Sequence, residues 1–589
     1  MNSTRRSLLT TSAAGVAGAS LALWLQHRTE NPPPRPVATV PGIRSKQPGT
    51  ARPPNILLVM TDQERMDLPD GLPLPGHDRL RERGTTFTAF HVNTTPCSPS
   101  RSNFYFGRHT QHTGMMVNLG VYPEPQIPAH LPSLGHFLRA NGYDTAYKGK
   151  WHLSELRAHY ELTYGRYPNS RNALEAFGFS DFNFDGDPHG ATWTGYKYDA
   201  QIAADSAQWL LQRGKASERP WLLAVNLVNP HDVMYFATGA TQAAGRRLPD
   251  YLAPLAGAPP DAHYRRHWDA LALPANRDDP LNTKPWAHRN YNRFCDMAFG
   301  PVPASEAAWR AYQDYYFNCI RDADRHLLTV LDALEASGEA GRTVVVFTSD
   351  HGEMAGAHGL RQKGPFMYQE NTRVPLLVRH PDARHGAQTT ALGSAVDLIP
   401  TLLALTGLDP ARITEAYPQL AGVSLAQQVA TPNSSSPRDA RGHLFNYNTT
   451  HYIDSDYAEE LARSQVTADR WMPLRALAAG LPPLPRRDNP ALFRGIHTGT
   501  HKFARYFRPA EHHEPVDWTR LTAHNELELY DLRDDPLEMR NLAHRPDTVD
   551  APTRALILAL NARLNGLIRQ EVGADLGGEL PGPGFLKRL

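Results

Sequence analysis

Three segments of the chain are apolar almost without interruption, and each stops abruptly at polar residues. Asn55-Ile56-Leu57-Leu58-Val59-Met60 runs into Thr61-Asp62-Gln63, Trp221 to Val228 into Asn229-Pro230-His231-Asp232, and Thr343 to Phe347 into Thr348-Ser349-Asp350-His351-Gly352. Runs of this kind belong to strands covered on both faces. Between the second and third lies a helical pattern, Ala307 to Ala336, with Trp309, Tyr312, Tyr316, Ile320, Leu327, Leu331 and Leu334 at mostly three- and four-residue steps. Strand, helix and strand in that order predict an α/β fold with a large, mainly parallel sheet flanked by helices. Ligands of such sheets gather outside the carboxyl ends of the strands, so the three polar clusters are expected to converge. An Asp after a strand is ordinarily a turn former or helix cap, and a loop His is ordinarily solvated. Three such clusters at one topological place carry more weight than any one of them.

Composition narrows the classes. The chain has 589 residues, 41% of them hydrophobic, which is ample for a buried core and for several domains. Lys and Arg total 61 against 60 Asp and Glu, with no dominant charge block, so the footprint of a nucleic-acid binder is missing. Fifty prolines and 43 glycines without a period, and only three cysteines, indicate a loop-rich globular protein rather than a disulfide scaffold. After residue 30 no run is apolar for long enough to cross a bilayer. The first residues read as an address: Arg5-Arg6 precede a small and apolar stretch, Thr10 to Leu25, followed by a proline-rich spacer up to Pro54. This resembles a twin-arginine export signal over residues 1–30, with a linker over 31–53. The expectation is an exported, periplasmic or extracellular protein that engages the twin-arginine machinery. The segment is either cleaved near Ala17-Gly18-Ala19 or retained as an anchor.

The sharpest local signal is Thr95-Pro96-Cys97-Ser98-Pro99-Ser100-Arg101. Ser100 to Phe106 is expected to be helical, with Pro99 in the first turn, where a missing N–H costs nothing. An anion there would meet free amides and the helix dipole. Taken alone, Cys97 would be a buried structural thiol, the common fate of free Cys. Cys97 to Arg101, however, match throughout the C-x-P-S-R signature of the sulfatase family, within the alkaline-phosphatase-like superfamily, and the chain resembles that family. Phe106-Gly107-Arg108-His109 with Gly114, Gly149-Lys150-Trp151-His152-Leu153, Ser349-Asp350-His351-Gly352-Glu353, and Lys363 ahead of Arg373-Val374-Pro375-Leu376 extend the likeness. Leu529-Tyr530-Asp531-Leu532, Asp535-Pro536 and Asn541-Leu542 look like the family's smaller carboxyl-terminal α+β subdomain, placed at 494–589 after a catalytic domain at 54–430. Two stretches fall outside the likeness, Met234 to Val302 and about Thr431 to Phe493. Both are rich in Pro, Ala, Arg and Asp without periodicity and are expected as loops or insertions.

The resemblance implies hydrolysis of sulfate esters through formylglycine, made from Cys97 by a maturation enzyme. Asp62, Gln63, Asp350 and the oxygen of modified Cys97 would hold one divalent cation, and that cation acidifies the formylglycine hydrate that attacks sulfur. Arg101, Lys150 and Lys363 would share the charge of the sulfate oxygens, and Arg101 would also hold the hydrate. His231 would protonate the leaving oxygen and His152 would orient the hydrate. Two positions depart from the commonest pattern of paired aspartates and Asp-Asn: here they are Asp62-Gln63 and Asp350-His351. Calcium is the family's usual ion, whereas an imidazole from His351 also suits manganese or zinc; alternatively His351 merely packs behind the ligands. The same pairing resembles the phosphonate monoester hydrolase branch, so phosphonates and phosphodiesters stand as alternative substrates, and an inactive binding protein as a weaker one. Trp193, Tyr196 and Tyr198, expected in one loop, suit a sugar or an aromatic ring as well as ordinary packing. Cys295 and Cys319 are expected as buried thiols, with a single disulfide as the alternative.

Overall fold

The computed structural model describes residues 38–43, 52–120, 126–156, 173–184, 186–248, 253–464, 488–575 and 577. The export signal and most of the linker expected from the sequence lie outside these residues. No helix among the described residues is long and apolar enough to cross a membrane.

Seven strands build the main sheet: β1 Asn55–Asp62, β2 Thr85–Phe87, β4 Asp144–Gly149, β5 Trp221–Pro230, β6 Thr343–Ser349, β7 Leu376–Arg379 and β8 Ala387–Thr389, in the order β4-β5-β1-β6-β7-β2-β8. A two-stranded ladder joins β3 Phe90–His91 to β9 Gly393–Ser394. The four contiguous strands β4, β5, β1 and β6 are mutually parallel, and β7 turns antiparallel beside them. Side chains alternate across this layer as the period of two demands. Ile56, Leu58, Met60, Leu222, Ala224, Val344 and Val346 join one hydrophobic core, while Leu57, Val59, Leu223, Val225, Val345 and Phe347 join another on the opposite face. Uninterrupted apolar sequence is therefore what burial on both faces requires.

The helices used below are α1 Pro75–Arg83, α2 Cys97–Phe106, α3 Thr194–Trp209, α4 Trp286–Phe299, α5 Glu306–Ala336 and α6 Ala551–Glu571. Helix α2 starts at Cys97, three residues earlier than the sequence pattern suggests, because Ser100 N–H already bonds back to Pro96 and Pro99 falls where no amide partner is needed. Helix α3 begins at Thr194, so Tyr196 and Tyr198 sit on its first turns rather than in a loop.

The carboxyl-terminal unit is an antiparallel sheet of β10 His443–Tyr447, β11 Leu492–His497, β12 His501–Phe507 and β13 Glu526–Asp531, packed on α6. Strand β10 lies inside the stretch 431–493 expected as loop or insertion. Leu444 pairs with Ile496 and Phe445 with Gly495, which makes β10 the edge of that sheet. It escaped the sequence reading because five residues are too few to show a period. The other expected loop region, 234–302, contains α4, whose Tyr291, Phe294 and Met297 are buried.

Candidate active site

Each of the four parallel strands delivers chemistry at its carboxyl end. Asp62 closes β1, Lys150 follows β4, His231 follows β5 and Asp350 follows β6. Cys97 enters from the first turn of α2. Asp62, Cys97, Asp350 and His351 are buried, and one ligand atom from each lies within 4.8 Å of all the others. His351 Nε2 is 3.1 Å from Cys97 Sγ, 3.7 Å from Asp62 Oδ1 and 3.6 Å from Asp350 Oδ1. Cys97 Sγ is 3.8 Å from Asp62 Oδ1. Gln63 has a positive φ of 75°, its amide N–H reaches Asp350 Oδ1 at 3.2 Å, and its side-chain oxygen accepts from Lys363 Nζ. Lys150 Nζ bonds Asp62. Two carboxylates, an imidazole, an amide oxygen and a sulfur or oxygen at position 97 are a donor set that suits a divalent cation.

The charges are strongly coupled. Burial opposes ionisation of Asp62, but Lys150, His231, His351 and Lys363 outweigh it and hold the carboxyl well below its usual range. Asp350 moves the other way, raised by burial and by the neighbouring Asp62. Burial and Asp62 work against the Cys97 thiolate, yet Lys150, Lys363 and His351 bring the thiol below its ordinary value. His351 is raised: burial lowers it, while Asp350 and Cys97 more than compensate. His231 and His152 are both pushed far down, by burial and then by the Lys150 ammonium.

Both of these imidazoles keep a buried Nδ1 without a partner. His231 packs against Gly190, where a Cβ would lie only 2.4 Å from His231 Cε1; no other residue fits there at a φ of +123°. His152 has a φ of 56°, its amide is held by Asp187 Oδ2 at 2.6 Å, and its ring stacks on exposed His189 at 5.1 Å.

Arg101 differs from its expected role. Its Nε donates to Trp151 O, its Nη1 to Asp350 Oδ2 at 3.3 Å, and its Nη2 to Tyr147 Oη, Lys150 O and Asn226 Oδ1 at 3.0, 2.5 and 2.6 Å. With its donors committed inside the protein, the guanidinium anchors Asp350 and the Lys150 segment and offers no free edge to a ligand. The amide expected to be free at the start of α2 is also engaged, since Ser98 N–H bonds Asn118 Oδ1 at 3.0 Å. Cys295 and Cys319 are buried free thiols.

Sequence reasoning missed several contributors. Asn226 is the one polar residue within the apolar body of β5, on the same face as Leu222 and Ala224, and it receives both Arg101 and Tyr105. That interruption was visible in the sequence. Asp187, in a loop, gave no such signal. A pair of carboxylates clasps the His231 segment to α3: Asp199 accepts from Val228 and Asn229, while Asp232 accepts from Gly195 and Tyr196.

The strand order and the ring of groups at the strand ends define an α/β protein whose site lies at the carboxyl ends of a mainly parallel sheet. A family model described as Sulfatase matches residues 54–408, and the chain belongs to the sulfatase family. It is 28% identical over 386 residues to the uncharacterized sulfatase YidJ of Escherichia coli strain K12, covering 61% of this chain and 69% of that one. To the choline-sulfatase of Rhizobium meliloti strain 1021 it is 28% identical over 408 residues, 65% of this chain and 73% of that one. Among solved structures, a 2-O GAG sulfatase superposes with a TM-score of 0.60 at 20% identity, covering 88% of this chain and 93% of that chain. The phosphonate monoester hydrolase of Agrobacterium radiobacter does so with a TM-score of 0.59 at 21% identity, covering 88% and 96%. At these identities the structures speak for the fold alone.

Proposed function

We propose that the protein hydrolyses sulfate monoesters at this cluster, with residue 97 as formylglycine and one divalent cation held by Asp62, Gln63, residue 97, Asp350 and His351. The observation that carries the reading is the meeting of Asp62, Cys97, Asp350 and His351 within 4.8 Å at the carboxyl ends of parallel strands, with Cys97 inside a complete C-x-P-S-R sequence. Cys97 Sγ stands here for the oxygen of the modified residue. The cation and the hydrate, when present, supply charge neutralisation and an activated nucleophile.

The chain's own residues do the rest. Lys150 and Lys363, which lie on Asp62 and Gln63, bring two ammonium groups to the sulfate oxygens. Arg101 fixes Asp350. His152 is placed by Asp187 to orient the nucleophile. His231 gives its proton to the departing alkoxide; burial and then the ammonium groups depress its pKa, and an anionic ester bound beside it moves the pKa back upward. Relatives named ulvan-active sulfatase and N-acetylglucosamine-6-O-sulfatase support a sulfated carbohydrate as the substrate. Exposed His189, stacked on His152, supplies a ring face for a sugar at the site.

Peptide mass spectrometry of residue 97 in active protein tests the modification: an aldehyde is expected, and full activity with an intact thiol would overturn it. A second reading, phosphonate or phosphodiester hydrolysis, is favoured by the Asp62-Gln63 and Asp350-His351 pairing alone.

A further inference from the structure

The Gln63 side chain lies between two groups of opposite hydrogen-bonding character. On one side its oxygen accepts from Lys363 Nζ, which has no acceptor to offer; on the other its Nε2 donates to Glu353 Oε2 at 2.5 Å. Glu353 is fully buried, and its second oxygen accepts from Ala355 N–H at 2.9 Å, Gln362 N–H at 2.6 Å and Tyr312 Oη at 3.3 Å. Every partner of this carboxylate is a donor. An amide that could otherwise turn over is thereby locked with its oxygen toward Lys363 and its nitrogen toward Glu353.

We propose that Glu353 is a positioning residue for the cation site: it fixes the orientation of Gln63 so that an oxygen, and never an NH2, faces the metal. It also restores, one residue further out, the negative charge that an amide in place of a carboxylate removes. This rests on the metal reading given above. Glu353→Gln would put amide nitrogen against amide nitrogen, and the relief is a flip of Gln63 that turns its oxygen away from the cation. The swap Gln63→Glu with Glu353→Gln rebuilds the pair in reverse. The amide introduced by Glu353→Gln keeps its oxygen on the Ala355 and Gln362 N–H groups and donates its NH2 to the carboxylate introduced by Gln63→Glu.

The test is Mn2+ and Ca2+ affinity, read by competition with a fluorescent chelator on chelator-stripped protein. Glu353→Gln is expected to weaken binding by about 10- to 100-fold, the usual loss when a group orienting a metal ligand is removed. Gln63→Glu, with two carboxylates facing each other, is expected to bind less tightly than the double variant, and the double variant should bind at least as tightly as wild type. Unchanged affinity in Glu353→Gln, or a double variant as weak as Glu353→Gln, overturns the assignment. If Glu353→Gln does not fold, the decision falls to the double variant against Gln63→Glu: equal affinity overturns the proposal. A wild-type protein that binds neither ion overturns the metal reading itself and this inference with it.

Discussion

Among single residues, proton donation and sulfate binding have separable signatures. His231→Ala should lower kcat by about 10²- to 10⁴-fold for alkyl or sugar sulfates, the usual worth of a general acid, and scarcely affect a nitrophenyl sulfate, whose leaving group needs little proton help. Lys363→Ala should penalise both kinds of ester alike, because the sulfate group is common to them. A series of esters graded by leaving-group pKa checks both expectations, and a His231→Ala plot parallel to wild type would leave His231 as a binding residue only. Asp62→Ala and Asp350→Ala should each abolish tight metal binding together with turnover, measured by metal analysis beside kinetics. Full occupancy and normal rate in either variant would remove that residue from the site. Much of this constellation was legible in the sequence, since Asp62, His231 and Asp350 stand where apolar runs stop. Arg101 was harder to read: a signature names the residue, but only the positions of Trp151, Tyr147, Lys150 and Asn226 show that its donors are already taken.

Between elements, the reacting groups are held by contacts that join segments far apart in the chain. Gly190→Ala should drive a Cβ into His231 and reproduce the leaving-group dependence of His231→Ala, with a loss of about 10²-fold in kcat, the cost of a small misplacement at a reacting centre. A uniform loss over all esters would contradict that. A second joint ties the segment after β1 to α1 and α5: His77 Nε2 meets Glu64 Oε1 at 2.7 Å and Nδ1 meets Asp324 Oδ1 at 2.5 Å. Burial alone would lower His77, but Glu64 and the hydrogen bond to Asp324 raise it from 6.5 to about 9. A raised histidine stabilises the fold fully below its unfolded value and loses that contribution as pH rises through the folded one. Stability should therefore fall between pH 6.5 and 9, by up to about 3 kcal/mol from this joint, and His77→Gln should flatten that slope in denaturation measured across the range. Strands β1, β5 and β6 followed from their apolar runs and the long helix α5 from its periodicity, whereas β10 and the carboxylate clasp on α3 did not, because pairing partners and turn geometry leave no periodic trace in so few residues.

Across the molecule, the carboxyl-terminal unit is bolted to the catalytic one by a buried ionic knot. Arg438 bonds Asp397 through Nε at 2.9 Å and through Nη2 at 2.7 Å and also reaches Glu571 of α6, while Glu571 accepts from His109 Nε2 at 2.9 Å. All four side chains are buried, so removing the cation leaves uncompensated carboxylates. Arg438→Met should cost about 3–5 kcal/mol in chemical denaturation, the usual penalty for breaking a buried pair. A loss below about 1 kcal/mol, the worth of an exposed pair, would mean that this knot adds little to the joint between the two units. The joint matters for function because His109 follows helix α2, which carries Cys97. The proposed chemistry as a whole stands or falls on a preference for sulfur over phosphorus. It is read from kcat/KM of the purified, metal-loaded protein for a nitrophenyl sulfate against a nitrophenyl phosphonate monoester with the same leaving group. A larger value for the sulfate is expected; a larger value for the phosphonate would contradict the assignment as a sulfate esterase.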